Sequence, residues 1–347
     1  MKSFKYRIRF LTPTFLGDAD QKAQWRTPPI KAELRRWWRV VYAAGQHFKI
    51  DVNKMRQQEA LLFGTASGNQ FKSLLQMRLS GWRKGTLTTW SDFGVQKIRH
   101  PEVPKPVDPY LYLGFGPLLY RGGKTVLIRP PAISAGEEAE LWLRIPDQYS
   151  YEIDQALALM MCFGSVGGRS RNGWGAFELR PLGKTALPEI DLKKYSREWT
   201  DALGLDWPHA IGCEGDRPLV WRTKNYQDWN ELMRVLAEIK VKLRTQFKFQ
   251  SGNNAPIPED RHWLAYPVTK HSVRAWGHSK RLPNALRFTV KSNAEGQIHG
   301  VIYHMPWLPP KDFEPKKEKI ESVWQRVHTF LNNHTELTAY YEGGCQP

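Results

Sequence analysis

Cysteine is scarce in this sequence: Cys162, Cys213 and Cys345 are the only three in 347 residues, and no two lie close together. That spacing excludes a disulfide framework and a cysteine-rich zinc site, and it suits a reducing, cytoplasmic setting. Long apolar runs are missing too. No stretch approaches the roughly 18 residues of a membrane span, and the opening MKSFKYRIRF has no apolar signal core, so no membrane partner is expected. Acidic residues are outnumbered, 34 against 51 lysines and arginines, which leaves a formal charge of +17. With 41% apolar and 24% charged residues the composition is otherwise that of an ordinary globular protein, which excludes wholesale disorder and low-complexity scaffolds.

The excess charge is unevenly spread. Residues 1–185 carry +13 and residues 186–347 carry +4. A basic surface confined to one part of a chain is the electrostatic footprint of nucleic-acid binding, because each phosphate neutralised releases counterions. The length suits two domains, each able to bury a core, and the pattern of elements divides the chain at about residue 185.

Residues 2–12 (KSFKYRIRFLT) alternate apolar and basic side chains with the period of a half-buried strand. Thr27-Pro28-Pro29 then opens an apolar-periodic helix over 30–44, and a second helix covers 53–63. Strand patterns at 71–80 and 138–145 flank a Gly/Pro-rich insertion, 94–136, too long for a simple connection. A helix over 151–163 runs into GSVGGRSRNGWG and the strand AFELRPL. This βαββαβ order is that of a ferredoxin-like domain. In the second half, strands at 217–223, 285–292 and 298–304 and helices at 228–248 and 314–331 give βαββα, so the expected class is α+β with two ferredoxin-like domains, 1–185 and 186–347.

Two features could hold RNA. On the helix over 30–44, Ile30, Leu34, Trp37 and Val41 form the core stripe, while Lys31, Arg35 and Arg39 form an adjacent basic stripe with Trp38 at its seam. Cations beside flat aromatic faces suit single strands, which offer both phosphates and unstacked bases. The loop 164–175 places Arg169, Ser170, Arg171 and Asn172 among five glycines; Gly167 and Gly168 would let the backbone approach a phosphate while the arginines supply bidentate cations. It is not a nucleoside-triphosphate loop, because it follows a helix and precedes a strand. Of the 15 tryptophans, Trp38 and Trp174 lie beside basic groups and are the expected base-stackers; Trp142, Trp229 and Trp324 are assigned to the core or to subunit contacts.

GSVGGRSRNGWG resembles the glycine-rich loop of the RAMP superfamily of CRISPR-associated proteins, which bind RNA on ferredoxin-like, RRM-related domains. TPTFLGDADQ, RTPPIKAELRRWWR and LLFGTASG resemble more narrowly the family of the first subunit of the type III-B Cmr effector, and KRLPNALRF resembles a second RAMP pattern. The specific likeness covers about the first 70 residues and 160–180; elsewhere it is architectural. It implies a noncatalytic subunit that holds the 3′ part of a guide RNA, or the single-stranded target RNA paired to it, beside other RAMP subunits in antiviral defence. It places phosphate binding on the loop of Gly167 to Arg171 and on Lys31, Arg35 and Arg39, with Gln21 and Lys22 as weaker candidates. No cofactor or metal is implied, and readout independent of base sequence is expected.

The competing class is a metal-independent RAMP endoribonuclease that processes guide RNA, with histidine as general acid or base. His47 and His100 are the nearest histidines to the expected RNA face and Asp18 and Asp20 the nearest acids. His47 sits alone in a loop, and Asp18 and Asp20, two apart, are better explained by turn hydrogen bonds than by a two-metal site.

Overall fold

The computed structural model describes residues 1–65, 72–91, 93–186 and 188–340. In chain order the first half contains β1 (Lys2–Phe10), α1 (Thr27–Gly45), α2 (Val52–Phe63), β2 (Gln76–Leu79), α3 (Pro109–Gly114), β3 (Leu118–Arg121), β4 (Lys124–Leu127), β5 (Glu138–Ile145), α4 (Ser150–Phe163) and β6 (Phe177–Pro181). The second contains β7 (Ser196–Glu198), α5 (Trp199–Ala202), β8 (Ile211–Glu214), β9 (Arg217–Pro218), β10 (Val220–Arg222), α6 (Trp229–Thr245), β11 (Leu286–Ser292), β12 (Ile298–His304), α7 (Lys317–Asn332) and β13 (Thr338–Ala339). The fold is therefore of mixed α and β content. The end of the LLFGTASG motif, residues 66–68, lies outside the described residues.

One antiparallel sheet has the order β2-β5-β1-β6 and the other β11-β12-β10-β13. Numbered within its own sheet, each reads second, third, first, fourth. The alternation of β1 is realised directly: Phe4, Tyr6, Ile8 and Phe10 are buried while Lys5, Arg7 and Arg9 face outward beside Glu140, Glu138 and Glu178. Ile30, Leu34, Trp37 and Val41 of α1 are buried as the helical period predicts. Arg26 and Tyr149 occupy the N-cap positions of α1 and α4 without side-chain bonds.

Two regions depart from the sequence pattern. The strand expected over 217–223 is divided, because Arg217–Pro218 pair with β8 whereas Val220–Arg222 pair with β12, and Leu219 bridges both through Gly212 and His304. Just past the expected division at 185 lies a three-stranded sheet, β7-β8-β9. Its strands are too short to show a period. The 94–136 insertion is built in by aromatic packing: Trp90 and Tyr110 cluster with Trp174 and Trp229, all ring centroids within 6.4 Å.

Each of the two buried apolar clusters draws on both halves. Val301, Tyr303 and Met305 of the second half join the cluster of α1 and α4, and Trp174 joins that of α6 and β11. α4 lies between the halves and is buried almost all round; Phe163 at its end stacks between Trp37 and Tyr303, at 5.4 and 4.9 Å, and its carbonyl accepts from the Tyr303 hydroxyl. Lys291 of β11 donates to the carbonyls of Gly164 and Phe177, at 3.0 and 3.1 Å, and burial lowers its pKa to about 7. Cys213 is free and buried, its thiol raised to about 11 by burial and neighbouring carboxylates.

Candidate nucleic-acid interface

The basic stripe of α1 exists, but α2 covers it. Arg39 makes a two-pronged ion pair with Glu59, which raises its pKa, and Arg35 reaches the same carboxylate at 3.9 Å while lying over the Phe63 ring. Lys31 donates to Ser73 Oγ at 2.6 Å, and burial together with the nearby Arg35 lowers its pKa. These groups are half-buried and largely occupied within the protein.

Two assignments need correction. Trp38 is fully buried, its indole N–H on Glu152 at 2.8 Å and its ring against Tyr42 and Phe63, and Trp174 is fully buried in the aromatic cluster under the insertion. Neither ring can reach a base. A large aromatic beside arginines in sequence belongs to the core when a neighbouring helix or insertion covers it, and the helical wheel shows neither cover.

The glycine loop is rigidly held. Val166 N–H donates to Gly175 O, Gly168 N–H to Phe15 O, Asn172 N–H to Arg169 O, and Gly175 N–H to Pro13 O, at 2.8–3.1 Å. Gly173 N–H donates to Phe288 O and Phe288 N–H to Arg171 O, which docks the loop on β11. Gly167 has φ +90, and a Cβ there would sit 2.8 Å from Phe15 O; the same substitution at Gly175 would overlap Val166 O. The glycines thus serve close backbone packing, and the amides of Gly168, Asn172, Gly173 and Gly175 are directed at protein carbonyls rather than outward. Of the backbone cradle expected of Gly167 and Gly168, the Gly168 amide is thus committed to Phe15 O.

Asn172 is also a clamp. Its side-chain N–H donates to Leu113 O at 2.7 Å, and its carbonyl oxygen accepts from Lys240, a buried lysine of α6. Ser170 O accepts from Ser165 Oγ at 2.8 Å. Gln21 and Lys22 are exposed in a turn that Asp18 closes, its carboxylate accepting from the backbone N–H of Asp20 and Lys22, both at 2.9 Å. His47 is exposed and His100 buried, Nδ1 of the latter accepting from Glu102 N–H at 3.2 Å. Among the described residues no group of three or more His, Cys, Asp or Glu could hold a metal ion.

What the loop offers outward is its arginines. Arg169, with φ +60, is exposed. Arg171 turns toward the junction of the halves, where Arg287 of β11 and Arg36 of α1 share its surroundings; burial and these two cations lower its pKa to about 9. Arg287 is only 3% exposed, and its Nε has no hydrogen-bond partner. Arg36 is ion-paired with Glu33, which also accepts from Trp37 Nε1 at 3.0 Å. Trp37 in turn packs on Tyr303, the residue paired with Arg287 across β11 and β12. Three guanidinium groups thus act on one another here, and Glu33, ion-paired with Arg36, is the carboxylate among them. Confined like charges with one counter-charge are costly without an anion. Sequence reasoning missed Arg36, which lies off the basic stripe, and Arg287, whose strand reads as half-solvated.

The comparisons agree with this architecture. The model of the RAMP superfamily matches residues 7–178. The crystal structure of Cmr1 from Pyrococcus furiosus in its apo form is similar, with 18% identity, 97% of this chain and 98% of that chain covered, and a TM-score of 0.50. A chain of the type III-B Cmr-beta complex bound to cognate target RNA has 11% identity over 94% of this chain and 99% of its own, with a TM-score of 0.47. No curated protein matches in sequence. The likeness to Cmr1 is one of fold. Through its match over residues 7–178, the chain belongs to the RAMP superfamily.

Proposed function

We propose that the protein is a noncatalytic RNA-binding subunit of a type III-B CRISPR effector, holding guide RNA or the single-stranded target paired to it, beside other RAMP subunits in the cytoplasm. The observation that carries the reading is the junction cluster, where the half-buried Arg36 and Arg171 and the buried Arg287 act on one another and only Arg36 is ion-paired, with Glu33. A backbone phosphate would supply the missing negative charge and accept from several guanidinium N–H groups at once. Family membership and the fold shared with Cmr1 favour this ligand over DNA or a small anion. We read the two halves, 1–185 and 186–347, as ferredoxin-like domains; the shared second-third-first-fourth strand order supports that, as does a βαββαβ order in each. Their junction, rather than the first half alone, is then the RNA face, with Arg169 at its outer edge.

The test uses labelled single-stranded RNA, duplex RNA and DNA across a salt series, with and without divalent metal. Single-stranded RNA should bind best, its affinity should fall steeply as salt rises, and no shorter product should form. Cleavage without metal that His47→Ala abolishes would establish the endoribonuclease alternative instead.

A further inference from the structure

With Trp38 and Trp174 in the core, the RNA reading lacks a surface for bases, and the insertion supplies one. Phe115 follows α3 in a turn and is 56% exposed. The turn is firmly built. Gly116 N–H donates to Leu118 O at 3.1 Å and Ile128 N–H to Pro117 O at 3.0 Å, while Tyr110, Leu113 and Leu118 beneath it are fully buried. Asn172 of the glycine loop ties the turn down through Leu113 O. Phe115 is thus an apolar ring held outward on a fixed support.

Its neighbour is the exposed arginine of the loop. A Cβ built on Gly116 would lie 3.3 Å from Arg169 Nη2, so the guanidinium covers that glycine, and one built on Gly168 would lie 3.2 Å from Pro117. Residues 109–136 contain Arg121, Lys124 and Arg129 and no acidic residue. A flat apolar face beside the Arg169 guanidinium, on a segment whose flanking carboxylate, Asp108, is taken up by the Tyr110 and Leu111 N–H groups and the Thr125 hydroxyl, has the chemistry of a single-stranded RNA platform; a protein partner for an apolar ring would not require the cation.

We propose that Phe115 stacks a base of single-stranded RNA while Arg169, one residue away across Gly116, holds an adjoining phosphate. Any base can occupy the platform, because every base has a π-face. The proposal rests on the RNA-binding reading, and its test separates the two. Phe115→Ala, Phe115→Trp and Arg169→Gln are compared with wild type on a single-stranded RNA and on an oligomer of the same sugar-phosphate backbone lacking bases. Phe115→Ala should weaken binding of the intact RNA about five-fold or more, the worth of one stacked base, and leave the abasic oligomer unaffected. Phe115→Trp should restore binding, and Arg169→Gln should weaken both. If Phe115→Ala leaves intact RNA unaffected while Arg169→Gln weakens it, the platform is wrong and the RNA reading survives, with a protein contact as the patch's remaining use. Equal losses on both oligomers would also overturn stacking, and no binding by wild type would overturn both readings.

Discussion

Replacing Arg36 and Arg171 together by glutamine lowers the affinity for single-stranded RNA about 100-fold at low salt, because each ionic hydrogen bond to phosphate contributes about 1.5–3 kcal/mol. For Arg171 alone the effect on folding has the opposite sign. Arg171 sits where burial and the charges of Arg287 and Arg36 hold its pKa down at about 9, and its own bond to Asn284 O is long, at 3.5 Å. Removing its charge relieves repulsion that the free protein carries, so Arg171→Gln alone should bind RNA less tightly and melt no lower than wild type. A residue placed only for structure would lose stability. Arg39→Gln is the contrasting case: its two-pronged bond to Glu59 lies inside the protein, so RNA affinity should change less than about three-fold. Titration by filter binding and a melting curve for each variant decide between these outcomes. RNA should also raise the melting temperature of wild type, since a ligand that binds only the folded state stabilises it.

Between pH 6.5 and 4.5 the protein should lose several kcal/mol of stability. His209, His299 and His328 are buried with pKa values lowered from 6.5 to about 4, 4 and 3, and His304 is also lowered well below 6.5; burial is the first cause in every case. His328 and His304 meet ring nitrogen to ring nitrogen at 3.0 Å, a contact that takes one proton between them, and neither nitrogen of His299 has a partner. The sign follows from proton counts. Below about 6.5 the unfolded chain takes up protons that the folded chain refuses, so stability is complete above that pH and falls as pH drops toward the folded values. Each refused proton contributes about 1.4 kcal/mol per pH unit, so three give about 4 kcal/mol per unit, a large share of an ordinary domain's stability. Lys291 adds a window of the same sign at higher pH: its pKa of about 7 against 10.5 makes stability rise as pH goes from 7 toward 10. The stability optimum therefore lies above neutrality. Urea midpoints measured at half-unit steps of pH test this; His299→Gln should flatten the acid slope by about 1.4 kcal/mol per unit, and a level profile from 6.5 to 4.5 would contradict it.

The elements were legible where their periods were long. The stripe of α1, the alternation of β1, and the spans of α6, β11 and β12 all follow from repeats of 3.6 or 2. What could not be read is what covers the polar faces. In β11, Arg287, Thr289 and Lys291 alternate with Leu286, Phe288 and Val290, the signature of one wet face. All six are buried, because the polar face docks on the glycine loop and the end of α4. The same ambiguity hid the RNA face proposed above: the charge count favoured the first half, while sparsely compensated arginines meet at a junction to which the second half contributes Arg287. Trp38 and Trp174 were misread in the reverse sense, as wet aromatics when they are core. The glycine loop was found for the right reason, its unusual density of glycine around Arg169 and Arg171, but its glycines serve packing, and the arginines carry the charge.

Photo-crosslinking tests the central claim most directly. Single-stranded RNA carrying 4-thiouridine at successive positions is bound to the intact protein, irradiated and mapped by mass spectrometry of the conjugated peptides. The account predicts conjugates on peptides containing Phe115, Arg169 to Arg171, and Asn284, segments linked by the Arg169 guanidinium over Gly116 and by the Arg171 bond to Asn284 O. Conjugates confined to the face shared by α1 and α2, around Lys31 and Arg39, with none at the junction, would contradict it.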